Sequence, residues 1–286
     1  FLLFTFVFAL ISSSMNVIFA DSTFEGQLEI IYIDSVINPQ KLFRLRLNDG
    51  SVKILEVGDN FDYAPGSYLK IQASETGNIL KLTKVLSNDK KFQLTGSTNN
   101  TNGSKKILVI MVTDSSFSES FIPYSVSEIE DLFFGSNFSL VDYINEASSS
   151  KLSLSGQVIP TLSIPNLCQS DNLFAHKAEE TIIAAAEAII SDITSYDYVT
   201  IIVPDKDECL ADAAGIGTLG RITYVSQQGN IKLGINFTRA YNADGFESVI
   251  LGTAIHELGH NMGLNHGNVN SCGTEVFSST GTPSIK

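Results

Sequence analysis

Between residues 24 and 95 apolar and polar positions alternate in five short runs: GQLEIIYID, KLFRLRLNDG, SVKILEVG, SYLKIQAS and ILKLTKVL. A period of two marks a strand with one face turned to a core. Turn signals separate the runs, among them Asn48-Asp49-Gly50, Pro65-Gly66 and Thr76-Gly77-Asn78. Five such strands with no helical stretch predict a small all-β, OB-like barrel over residues 21–98.

The pattern changes after GSTNNTNGS, a polar, turn-rich stretch at 96–104 whose end, 99–104, reads as a linker. KKILVIMVTD is continuously apolar and predicts a buried strand. SVSEIEDLFFG predicts a helix opened by a Ser–Glu capping pattern, and SLVDYINEASSSK a second helix. LSLSGQVIP reads as a strand, NLFAHKAEETIIAAAEAIISD as a long Ala-rich amphipathic helix, and YVTIIVPD as another buried strand. This order predicts an α/β (α+β) domain over 105–286, with a mixed sheet, long helices and crossover connections.

The charge narrows the partners. Apolar residues make up 43% of the 286-residue chain and charged ones 17%, which places it among folded proteins. A net charge of −13 and no basic patch argue against nucleic acid and anionic membrane surfaces. With no aromatic stacking pattern either, the barrel is expected to play a structural or pro-domain part.

The first twenty residues carry no charge, and the apolar run Phe1–Ile11 is short for a bilayer span. With Ser12–Ser14 and Ala20 before Asp21 it reads as a secretory signal peptide over 1–20, starting late; a membrane anchor is the alternative. The expected location is therefore extracellular, with no stable membrane insertion once the signal is removed. In that compartment Cys168, Cys209 and Cys272 amount to one disulfide and one leftover thiol. Asn99, Asn102, Asn137 and Asn236 head N-glycosylation sequons.

The chemistry concentrates in HELGHNMGLNH, residues 256–266, which holds three of the four histidines. Val249, Ile250, Ala254, Ile255 and Leu258 fall at helical spacing and end on this stretch. His256 and His260, four apart, share a helix face and can share a cation. Zinc takes neutral imidazole nitrogens, and a catalytic site keeps a fourth position for water. Glu257 lies about 100° round the helix, where it reaches such a water and not the metal. Gly263 can take positive φ, end the helix and turn His266 back as the third ligand.

HELGHNMGLNH resembles the metzincin signature H-E-x-x-H-x-x-G-x-x-H. The resemblance implies one catalytic zinc ion on His256, His260 and His266, with Glu257 as general base and proton shuttle. The residue after the third histidine is Gly267, where adamalysin-like enzymes carry Asp, matrixins usually Ser, astacins Glu and serralysins Pro. KLSLSGQVIP, YDYVTIIVP, ECLADAAGIGTLG and a cysteine after the zinc motif look most like the gametolysin family. That likeness implies a secreted metalloendopeptidase acting on proteins or peptides, with matrix or wall glycoproteins as candidate substrates. With export and the position of Cys272, it also implies a Cys168–Cys209 disulfide. Metzincins place a methionine turn beneath the metal; no methionine follows His266 here, so the catalytic domain is expected to continue past residue 286.

Competing readings are weaker. GIGTLG at 215–220 matches a dinucleotide-binding fingerprint but lacks its strand-before, helix-after setting, and reads instead as a glycine-rich loop leading to the strand that borders the substrate cleft. His176 reads as solvated. No cysteine lies in 21–98, so no thiolate from the barrel can block a zinc ion. A catalytically inactive binding or adhesion protein on the same scaffold, and a non-proteolytic zinc amidase, are the alternatives.

Overall fold

The computed structural model describes residues 21–35, 40–89, 102–116, 122–168, 177–210, 213–241, 247–266, 270–271 and 284–285. The proposed signal peptide, His176, Asn99, Gly267 and Cys272 lie outside them.

The five alternating runs form β1 (Ser22–Ser35), β2 (Gln40–Leu47), β3 (Val52–Glu56), β4 (Tyr68–Thr76) and β5 (Ile79–Asp89). They pair in the order β2-β3-β5-β4-β1, and an additional β1–β2 pairing closes the ring into a small barrel. Only β3–β5 is parallel. The apolar half of each alternation fills the inside, with Leu28, Ile30, Leu45, Leu55, Leu69, Ile71 and Leu80 all buried.

The second region begins with β6 (Gly103–Asp114), so Gly103 and Ser104 of the expected linker already pair with Leu152 and Ser153. Next come α1 (Val126–Phe134), α2 (Leu140–Ala147), β7 (Leu152–Ile164) and α3 (Lys177–Glu187). Ser125 and Glu128 form the capping box at the start of α1, which satisfies two backbone donors the first turn cannot use. The remaining elements are β8 (Tyr198–Pro204), α4 (Asp207–Leu210), β9 (Ala213–Thr218), β10 (Ile222–Ser226), β11 (Gly229–Ala240) and α5 (Glu247–Asn261). A separate ribbon joins β12 (Asn270–Ser271) to β13 (Ser284–Ile285). At fifteen residues α5 is the longest helix among the described residues; α3, part of a run expected to be one long helix, is described over eleven.

Strands β7, β6, β8 and β11 are mutually parallel, and β9 adds antiparallel to β11. All seven residues of β8 are buried, the expected fate of an apolar run in a parallel sheet covered on both faces. One face packs on α3 through Ile182, Ile183 and Ala186, the other on α1, α2 and α5 through Ile129, Phe133, Ile144, Ala254 and Leu258.

Two stretches differ from expectation. AAGIGT is a strand, β9, where a glycine-rich loop is expected, and β11 is a strand for which the sequence pattern gave no separate signal. The two halves are also not joined only by a tether. The end of β1 leaves the barrel and pairs antiparallel with β9, Ile31 opposite Thr218 and Asp34 opposite Gly215, so one eleven-stranded sheet runs through both.

Polar groups reinforce that seam. Glu29 on β1 accepts from Arg46 at 2.6 Å and contacts Arg44 at 2.9 Å; Arg44 reaches on to Glu179 of α3 at 3.2 Å. The Tyr224 hydroxyl of β10 donates to Glu179 at 2.6 Å. All five side chains are buried. Burial opposes the charge on Arg44, but Glu179 and Glu29 outweigh it and raise its pKa. Cys168 and Cys209 are disulfide-bonded, and Asp114 holds the Cys168 loop by accepting from the Cys168 amide at 2.7 Å.

Of the four sequons, Asn236 is fully buried and donates to Asn261 Oδ1 at 2.7 Å, which leaves no room for a glycan in the folded chain.

Candidate metal centre

Helix α5 carries His256, Glu257 and His260, and is pinned to the sheet immediately after them. Asn261 donates to the carbonyls of Thr218 on β9 and Ile235 on β11, both at 3.0 Å. Gly263 then takes φ 94°, a conformation open to glycine and strained for other residues. Its amide and that of Leu264 close the helix end on His260 and Gly259, the hydrogen-bonding pattern of a glycine C-cap. Three residues later His266 comes back over the helix.

The three imidazoles converge. His266 Nε2 lies 3.3 Å from His256 Nε2 and 3.1 Å from His260 Nε2. Two nitrogens each about 2.0–2.1 Å from one tetrahedral ion stand about 3.3 Å apart, so the spacing fits a zinc ion. His260 Nδ1 is 2.7 Å from the Leu264 carbonyl, which can only accept. Nδ1 therefore carries a proton, and in the neutral ring this leaves Nε2, the nitrogen that faces the cluster, free to take a metal.

Glu257 is fully buried on the neighbouring stripe of α5, and neither carboxyl oxygen has a hydrogen-bond partner among the described residues. Burial, and after it the adjoining Asp34 carboxylate, pushes this carboxyl well above the usual range. The space it occupies explains GIGTLG. A Cβ on Gly215 would stand 2.5 Å from Glu257 Oε1, and one on Gly217 2.7 Å from Oε2. The glycines let α5 lie close on β9; they cradle no phosphate.

Asp34, at the end of β1, is the residue that sequence reasoning missed. Its carboxylate meets all three histidines: Oδ1 is 2.7 Å from His266 Nε2, and Oδ2 is 3.0 Å from His256 Nε2 and 3.3 Å from His260 Nε2. One ligand atom from each of the four residues lies within 4.8 Å of every other. Burial acts to raise the Asp34 carboxyl, but its contacts with His256, His260 and Glu257 outweigh it and hold it well below the carboxylate range. The same contact raises His256. A lone Asp ending an apolar strand carries no signal in sequence.

Beside the histidines lies a cleft of about 780 Å³, walled by Tyr143, Ile144, Leu152, Ile255, Met262 and Leu264. These side chains come from α2, β7, α5 and the turn after it, so the cleft and the three histidines share a scaffold.

Residues 137–267 match a family model described as Metallo-peptidase family M12B Reprolysin-like. The matched segment contains the whole HELGHNMGLNH stretch and the cleft-forming α2. It supports a zinc metalloprotease. No curated protein matches the chain.

Proposed function

We propose that this chain is a secreted zinc endopeptidase of the metzincin type. The observation that carries the reading is the convergence of three imidazole nitrogens beside a buried glutamate on the same helix. His256, His260 and His266 hold the metal, which when bound supplies Lewis acidity to a peptide carbonyl and a water molecule. The Asn261 bonds and the Gly263 turn fix where those imidazoles point. Glu257 takes the proton of the attacking water and delivers it to the departing amine. The apolar cleft receives a substrate side chain next to the scissile bond, which favours an apolar residue there. An unfolded or extended protein segment is the substrate class, matrix or wall glycoproteins being the candidates that the gametolysin likeness implies. The intact Glu257 disfavours an inactive binding scaffold.

Glu257→Gln tests this in the active form of the enzyme. The ligands are untouched, so zinc content by atomic absorption is expected to stay stoichiometric while casein hydrolysis falls about 10²–10⁴-fold. Hydrolysis at the parent rate overturns the mechanism.

A further inference from the structure

We propose that Asp34 is the fourth ligand of the zinc ion, so that the N-terminal barrel is an internal inhibitor of the metal centre. The inference rests on the zinc reading above and goes on to its regulation.

The carboxylate stands over the triangle of the three Nε2 atoms, within 2.7–3.3 Å of each. Zinc accepts carboxylate oxygen as well as imidazole nitrogen among its ligands, and a catalytic site leaves its fourth position to water. Asp34 fills that position with a donor from another part of the chain. Tyr32 and Asp34 are two apart on β1 and so share a face. Tyr32 stacks on His260 with ring centroids 4.5 Å apart, and its hydroxyl donates to Asn265 at 2.9 Å. Two successive side chains of one strand face thus cover the histidines.

The backbone of the same segment occupies the edge of β9 from Thr218 to Ala213. A peptide can bind an exposed sheet edge by adding as a strand, and this is the edge nearest the histidines. With β1 paired there, neither water at the fourth position nor a peptide strand along β9 has access. The Glu29–Arg44–Glu179 ion pairs on the other face of β1 hold the strand in place.

The test uses the full chain loaded with cobalt(II), compared with Asp34→Ala and with Asp34→Asn, which keeps the size of the side chain but not its charge. Readouts are the cobalt absorption bands and titration with acetohydroxamate, a small metal-binding probe. If the open state is about 1% populated, apparent affinity is weakened about 100-fold, and Asp34→Ala is expected to recover about that factor with altered bands. The Asn variant is expected to change in the same direction, and far-ultraviolet circular dichroism identifies any variant that has lost its fold. If Asp34→Ala unfolds, the Asn variant decides. Stoichiometric cobalt with the same bands and the same acetohydroxamate affinity in parent and variants overturns the role of Asp34 alone. A chain that binds no cobalt, whatever stands at position 34, overturns the zinc reading and this proposal with it.

Discussion

Strand β1 carries two carboxylates that link it to the second half of the molecule, Glu29 through Arg44 to Glu179 and Asp34 directly to the histidines, and the two contacts differ in kind. They are five residues apart and so project from opposite faces of the strand. Glu29 is fully buried against two guanidinium groups, and a guanidinium cannot lose its proton. The neighbouring Glu179 and Tyr224 complete that cluster without solvent. Asp34 faces three imidazoles, two of them substantially exposed, beside an open cleft. Its partners can exchange a proton or take up a metal ion. The first contact is a permanent seam. The second is a contact with a competitor.

The contrast is sharpest in stability. Arg44→Ala removes the guanidinium shared by Glu29 and Glu179 and leaves the two buried carboxylates with only Arg46 and Tyr224, and breaking such a buried pair costs about 3–5 kcal/mol. Urea denaturation of the variant is expected to show a loss of that size, the same with zinc or with a chelator. A loss under about 1 kcal/mol would mean that the seam is hydrated or dispensable.

Metal is expected to act only at the other contact. Zinc at one hundred times its Kd stabilises the folded chain by about 2.7 kcal/mol if the unfolded chain does not bind it. Thermal melts of Arg44→Ala should retain this increment, because the backbone pairing of β1 with β9 still presents Asp34 and the two sites share no side-chain partner. An increment that disappears with Arg44 would show that the seam and the metal centre are one cooperative unit.

The smallest effect probes the fit of α5 on β9. Gly215→Ala puts a methyl group against the Glu257 carboxyl and the Thr253 methyl, with 2.7 Å to the latter. Overpacking of this kind costs about 1–3 kcal/mol. Zinc stoichiometry is expected to survive, since no ligand moves out of reach, while peptidase activity of the active form falls as Glu257 is displaced. Unchanged stability and activity would show that α5 can shift freely over β9.

Much of the fold was legible in particular residues. The alternation in GQLEIIYID and its four successors marked the barrel strands, and Ser125 with Glu128 marked the start of α1. HELGHNMGLNH placed two histidines on one helix face and a glycine where the chain turns, because helical periodicity and the freedom of glycine act locally. The structure brings His256, His260 and His266 together with Glu257 beside them, as that local grammar suggested. β9 was not legible, since its glycines look like a loop until Glu257 is seen filling the space above them.

What tertiary structure alone decided is everything that depends on β1 leaving the barrel. Arg44 and Arg46 occupy the polar positions of an alternating strand, and sequence cannot tell whether such positions face water or another domain. Here they face Glu29 and Glu179. Asp34 is likewise an ordinary strand residue until β1 pairs with β9 and sets it over the histidines. Local spacing determined where His256 and His260 stand on their helix. Only the pairing of strands about 180 residues apart, which no short-range pattern encodes, determined which side chain covers them.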